Sequence, residues 1–207
     1  LSDHSAGLYD IQVEILFNGT ADAMRRRIIS PLKTGLKIFS DRNYKDLKVL
    51  DVATGTGRTL QQIRVSLPEV DLSGLDLSGY YLKQASKSLS DRKGEMVQLI
   101  KGNAEDMPFK ENSFQAVTCV FLLHELPREA RQNVLKECFR ILEPGGILVL
   151  ADSVQISDSP SFKPILDNFH KIFHEPYYFD YLNDDIDKRL NLIGYENIKA
   201  QSYFMTR

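Results

Sequence analysis

Two features of the sequence point to chemistry when they are taken together. Val49-Leu50-Asp51-Val52 is an apolar run carrying one carboxylate, and it leads directly into Ala53-Thr54-Gly55-Thr56-Gly57. Small residues after a buried strand let the backbone pass close beneath a ligand. They also leave amide N–H groups pointing outward at the start of a helix. Asp76 lies 19 residues beyond Gly57 and closes the next apolar run. A carboxylate at the end of a neighbouring strand accepts hydrogen bonds from both hydroxyls of a ribose. Alone, such a bend is often only a tight turn, and such an aspartate is often only a helix cap. The spacing of the two describes a site for an adenosine-containing cofactor at the carboxyl edge of a parallel sheet. A dinucleotide fingerprint needs a third glycine at position 60, which here is Leu60, and this disfavours NAD and FAD.

A second locus is His124-Glu125, just after the apolar run Phe114 to Phe121. A histidine titrates near neutral pH, so His124 is a candidate general base, with Glu125 to orient or replace it. The bland alternative is that His124 hydrogen-bonds the loop before Pro127. His170 and His174 lie four apart and would share a helix face, but no third ligand is evident, so no metal site is expected. Arg25-Arg26-Arg27 would meet an anion or simply line an exposed helix face.

These residues need elements to position them. Strands are expected over Leu47–Val52, Val70–Leu77, Met96–Ile100, Phe114–Phe121 and Gly146–Ala151. Helices are expected over Arg58–Leu67, Gly79–Leu89 and Arg128–Leu142, the last ended by Glu143-Pro144-Gly145-Gly146. Strand, turn and helix repeated in this way mean right-handed crossovers and a parallel sheet. Before them, Ala21–Ile29 reads as a helix that Pro31 restarts or kinks. After them, Phe162 to Tyr181 holds seven aromatics, read as an apolar wall over a lipophilic ligand or as a helix packed on the core. Asn183–Ile193 then reads as a helix stopped by Gly194, and Tyr195–Thr206 as a final strand.

Composition limits the function class. The chain has 207 residues, enough for one domain that buries roughly 70% of its unfolded surface. Lys plus Arg total 26 against 28 Asp plus Glu, so the basic excess of a dedicated nucleic-acid binder is missing. Cys119 and Cys138 cannot make a disulfide framework, and a reducing cytoplasmic compartment is the simpler expectation. No apolar run approaches ~18 residues, so no membrane span is expected. The chain opens on Leu1 rather than Met, and an excerpt or processed chain is expected.

Asp51-Val52-Ala53-Thr54-Gly55-Thr56-Gly57 resembles the first motif of the class I S-adenosylmethionine-dependent methyltransferases. Three further segments follow in that family's order. They are Leu75-Asp76-Leu77-Ser78, Gly102-Asn103-Ala104-Glu105-Asp106-Met107-Pro108-Phe109 and Leu142-Glu143-Pro144-Gly145-Gly146. The Ala-Thr-Gly-Thr-Gly form and the opening Leu8-Tyr9-Asp10 look most like the ubiquinone/menaquinone C-methyltransferase branch. The stretch Leu122-Leu123-His124-Glu125 departs from that branch, which has Gly-[Leu/Ile]-Arg-Asn there.

The resemblance implies an α/β, three-layer Rossmann-like sandwich with a mostly parallel sheet and a seventh strand that is short, displaced or missing. It implies a single domain over 1–207. Residues 1–46 would form a helical arm, 47–152 the cofactor-binding core, and 153–207 a helical insert and last strand. It implies S-adenosylmethionine as cofactor and a small, lipophilic acceptor, with no nucleic acid and no stable membrane insertion. By the same resemblance Asp51 organises the bend near the methionine ammonium, and Ala53, Thr54, Gly55 and Gly57 pass beneath the methionine part. Asp76 takes the ribose, Leu77 packs on adenine, Asn103, Ala104 and Glu105 line the adenine edge, and Phe121 sits near the sulfonium. Tyr9 reaches the cofactor carboxylate. The alternatives are a non-catalytic partner subunit of the same fold and, less favoured, a nicotinamide-dependent oxidoreductase.

Overall fold

A computed structural model describes residues 3–90, 96–166, 168, 175–203 and 205–207, without the side chains of residues 3–7 and 9. His170 and His174 lie outside the described residues. Five strands form one sheet: β1 Lys48–Val52, β2 Asp71–Asp76, β3 Gln98–Lys101, β4 Phe114–Val120 and β5 Leu142–Ala151. All pairings are parallel, in the order β3-β2-β1-β4-β5. The chain winds outward from β1 to β3 and then returns to the other side for β4 and β5. The crevice above β1 and β4 is therefore where strand order reverses, the place where open α/β sheets bind ligands.

Alternation along the strands splits the core into two layers. Leu50 and Val52 face a cluster with Val117, Cys119, Val134, Leu135 and Cys138. Val49, Leu72 and Ala116 face the other, with Leu32, Leu36, Leu60 and Ile63. Helices cover both faces, as a parallel sheet requires. They are α1 Asp3–Leu16, α2 Ala21–Arg25, α3 Ile29–Leu36, α4 Arg58–Ser66, α5 Gly79–Ser90, α6 Arg128–Ile141, α7 Tyr178–Leu182 and α8 Ile186–Ile193. Asp185 caps α8 by accepting from the Lys188 amide at 2.9 Å, and Gly194 ends it with φ 117°.

Three sequence expectations are corrected. The helix expected over 21–29 is broken by a 3-10 turn at Arg26–Ile28 before α3 resumes, because Pro31 has no N–H to bond back to that turn. The strand β5 starts at Leu142 rather than Gly146, since Leu142 pairs with Phe114 ahead of a register shift. Among the described residues, the strand expected over Tyr195–Thr206 does not form. Tyr195 packs edge-on against Phe139 at 5.0 Å and donates to the Leu135 carbonyl at 3.1 Å, which draws the segment onto α6. Asn197, at φ 55°, then breaks the extension. What remains of a last strand is an antiparallel bridge between Ser153 and Thr206, just past β5. This matches a last strand that is short and displaced. Among the described residues no helix is long and apolar enough to cross a membrane.

Candidate active site

The register of the sheet places Asp51 opposite Gly74 of β2 and Thr118 of β4. Asp51 is 1% exposed, and it accepts hydrogen bonds from Thr118 at 2.6 Å and Thr54 at 2.7 Å. Burial pushes its pKa up to about 6; the two hydroxyls and Arg25 oppose that rise, and the Asp76 charge adds to it. The bend after β1 then runs through Ala53 at φ 55°, Gly55 at φ 56° and Gly57 at φ 81°. The Thr54 amide donates to the Leu75 carbonyl at 2.9 Å, which ties the bend to β2.

Asp76 faces this bend. Its Oδ2 accepts from the Gly55 amide at 2.8 Å and its Oδ1 from the Ser78 amide at 2.8 Å. Burial raises its pKa, against the pull of those two amides. A Cβ added at Gly55 would meet nothing within 4 Å, so the space beside that residue is open. Gly57 differs, because an added Cβ would come within 3.0 Å of the Ala85 Cβ and 3.2 Å of its Cα. Helix α5 can pack on the bend only if residue 57 is glycine. Gly57→Ala is therefore expected to cost roughly 2–4 kcal/mol, from left-handed strain plus overpacking. Urea unfolding measures this, and a loss below about 0.5 kcal/mol would remove the packing argument.

The other expected cofactor residues follow the carboxyl ends of β2, β3 and β4, apart from Tyr9 in α1. Leu77 is 69% exposed at the end of β2. Asn103 is exposed, and its Oδ1 accepts from the Glu105 amide at 3.0 Å, closing a turn after β3. Ala104 packs against the core, and Glu105 accepts from Asn133 of α6 at 3.0 Å. Phe121, half-buried at φ 56°, ends β4. Tyr9 lies in α1, and its side chain is outside the described residues.

His124 follows Phe121 in a 3-10 turn, and the two rings meet edge-on at 6.4 Å. Its Nδ1 lies 2.6 Å from Oδ1 of Asp152, just beyond β5. The same carboxylate accepts from the amides of Leu123 at 2.8 Å and Ser153 at 2.7 Å. Burial disfavours the imidazolium, but Asp152, with Glu125 and Glu175, outweighs that effect and lifts the His124 pKa to about 9. The Asp152 contact thus favours the imidazolium, which makes His124 a hydrogen-bond donor rather than a free base. Asp152, not Glu125, orients it.

Asp152 carries no site signal in the sequence, whereas Arg25 and the two tyrosines beside His124 show there only as members of an arginine run and an aromatic cluster. Tyr178 and Tyr181 are 2% exposed and meet the His124 ring edge-on at 5.9 Å and 6.2 Å. Arg25 is buried, unlike its exposed neighbours Arg26 and Arg27, and its guanidinium lies 5.9 Å from the Phe121 ring centroid. The arginine triplet was legible, but which member turns inward depends on helix phase. The arm also holds the bend directly, since Thr56 donates to Asp10 at 2.7 Å and Arg58 pairs with Asp22.

Three comparisons agree with this geometry. Residues 49–146 match the methyltransferase domain family. The chain is 34% identical over 152 residues to a demethylmenaquinone methyltransferase of Thermotoga maritima, covering 73% of this chain and 59% of that protein. It is 28% identical to a ubiquinone/menaquinone biosynthesis C-methyltransferase of Methylobacterium nodulans, covering 78% of this chain and 60% of that one. The chain thus spans about three fifths of the length of these relatives. The crystal structure of a putative methyltransferase from Bacillus halodurans superposes with a TM-score of 0.57 at 27% identity, covering 77% of this chain and 68% of that one. With the bend, the facing carboxylate and the sheet order in place, the chain carries the methyltransferase-domain match over residues 49–146 and is similar to the class I S-adenosylmethionine-dependent methyltransferases of the ubiquinone/menaquinone branch.

Proposed function

We propose that this chain is the catalytic core of a cytoplasmic S-adenosylmethionine-dependent methyltransferase whose acceptor is a small lipophilic molecule of the reduced-quinone class. The observation that carries the reading is Asp76, whose carboxylate is held on the Ala53–Gly57 bend by the Gly55 amide, with open space beside Gly55. The residues present fit the cofactor. Each Asp76 oxygen uses one lone pair on a backbone amide and keeps another for a ribose hydroxyl. Asp51 offers buried negative charge to an ammonium group, and Leu77 offers apolar surface to adenine. By the resemblance, Asn103, Ala104 and Glu105 would line the adenine edge, Phe121 would lie near the sulfonium, and Tyr9 would serve the cofactor carboxylate. The names of the relatives support the acceptor class, and two free, buried thiols, Cys119 and Cys138, support the compartment.

The cofactor, when bound, supplies an electrophilic methyl group on a sulfonium. The protein must then hold a nucleophilic carbon behind that methyl and keep water out. The ring carbon next to a hydroxyl attacks best when that hydroxyl has lost its proton, and it sheds its own hydrogen as a proton once the methyl group has been transferred. His124, kept cationic by Asp152, donates to the oxygen where that negative charge gathers. Glu125 lies next in the chain to receive a proton. Its pKa is raised by partial desolvation, and the nearby Glu175, Asp152 and Asp76 charges raise it further against the pull of His124.

The test is calorimetry with S-adenosylmethionine and S-adenosylhomocysteine, followed by turnover on a 2-alkyl-1,4-dihydroxynaphthalene. A folded chain that binds neither would end the reading and return the partner-subunit alternative. A second check uses Asp51→Asn. Ionised Asp51 burdens the fold, because its folded pKa of about 6 exceeds the ordinary 3.8. That burden is absent below pH 3.8 and fully present once pH has risen past 6. At pH 8, Asp51→Asn is therefore expected to raise Tm by about 3 °C or more while weakening S-adenosylmethionine binding about tenfold. A fall in Tm, or unchanged binding, would contradict this.

A further inference from the structure

We infer that Arg131 is the positioning residue that sets the geometry of the acceptor pocket around His124, an inference that rests on the function proposed above. Arg131 lies on α6, one turn from its start, and its side chain is 0% exposed. Its three nitrogens go to three places. Nε donates to the Leu126 carbonyl at 3.0 Å, one terminal nitrogen to Asp180 at 2.6 Å, and the other to Asp184. The guanidinium also lies 5.7 Å from the Tyr181 ring centroid.

The two sides it joins are the two sides of the histidine. Leu126 closes the loop that carries His124 and Glu125. Asp180 and Asp184 bracket Tyr181 on α7 and at the corner before α8, and the same helix carries Tyr178. Both tyrosine rings stand edge-on to the imidazole, and both hydroxyls are pinned on Ser153, at 2.7 Å to its Oγ and 2.6 Å to its carbonyl. Asp180 is shared with Arg128 at 2.6 Å, and Asp184 with Arg189 at 2.7 Å.

Burying an arginine is costly unless every donor is met, and an apolar residue of similar volume could hold α6 against α7. What an apolar contact lacks is direction. A planar fork with partners on two elements fixes their separation and tilt, and a lysine cannot reproduce it. The partners of this fork are Leu126, Asp180 and Asp184, and neither the bend after β1 nor Asp76 of β2 is among them. Arg131 should therefore govern acceptor fit and leave cofactor affinity alone.

The experiment compares the full chain with Arg131→Lys and with Asp180→Asn, whose parent side chain is 42% exposed and whose loss removes one arm only. For Arg131→Lys the expected result is a tenfold rise in KM for the dihydroxynaphthalene probe, with the Kd of S-adenosylhomocysteine within twofold of wild type. Nuclear Overhauser contacts between the His124 ring and the Tyr178 and Tyr181 rings should weaken. Asp180→Asn should show the same pattern at about threefold, and it decides the matter if Arg131→Lys does not fold. Equal losses in acceptor and cofactor affinity, or unchanged ring contacts and KM in both variants, would overturn the inference. If wild type binds no S-adenosylhomocysteine, the functional reading fails, and the ring contacts alone decide whether Arg131 positions the wall.

Discussion

Asp76→Ala is expected to raise the Kd for S-adenosylmethionine about a hundredfold. The side chain accepts from the Gly55 and Ser78 amides and so sits on the bend, beside open space at Gly55. Hydrogen bonds to a charged group contribute about 1.5–3 kcal/mol each, and each 1.4 kcal/mol is tenfold in affinity. Losing two ribose contacts therefore predicts about 3 kcal/mol. The substitution also frees the Gly55 amide and loosens the bend itself. Asp76→Asn keeps one acceptor oxygen and should lose only about tenfold. Calorimetry measures both, with circular dichroism to show that the variants fold. A Kd within threefold of wild type for Asp76→Ala would remove this carboxylate from the cofactor site and leave only a layered fold.

The second large effect concerns His124 and Asp152. His124→Ala should lower turnover on the dihydroxynaphthalene probe by about 10²–10³, the usual cost of deleting one preorganised donor, with cofactor affinity unchanged. Unchanged turnover would return His124 to a loop-bonding role. The pH dependence has a definite sign. Donation requires the imidazolium, so wild-type activity should fall as pH rises through about 9. In Asp152→Asn, without the charge that holds the proton, the fall should move toward the ordinary 6.5. Stability follows the same groups. The folded pKa lies above the unfolded one, so the pair's contribution of about 3 kcal/mol is complete below pH 6.5 and lost as pH rises to 9. Asp152→Asn should therefore lose stability at pH 6 and little at pH 10. A profile that ignores Asp152 would show that the 2.6 Å contact does not set the proton affinity.

The bend, its carboxylate and the strand–helix alternation were legible because their signals are local. Small residues permit the positive φ angles at Ala53, Gly55 and Gly57, and apolar runs ending at Val52, Asp76 and Val120 mark strands wherever they lie. The C-terminal segment was misread for a matching reason. Tyr195 and Ile198 have strand-like character, but a ring contact to Phe139 on α6 takes the segment away from the sheet edge. A local pattern cannot register that competition.

From the order of its residues alone, this protein's layered α/β build and the ligand-cradling turn beside Asp76 follow, since periodicity and turn chemistry act over a few neighbours. The surroundings of His124 were decided by the folded arrangement. His124 meets Asp152 across 28 residues and Arg131 meets Asp184 across 53, contacts that exist only because β5 lies beside β4 and α7 folds back over their ends. Burial then turns those contacts into a retained proton and a fixed wall, because the energy of a charge depends on surroundings that no stretch of neighbouring residues contains.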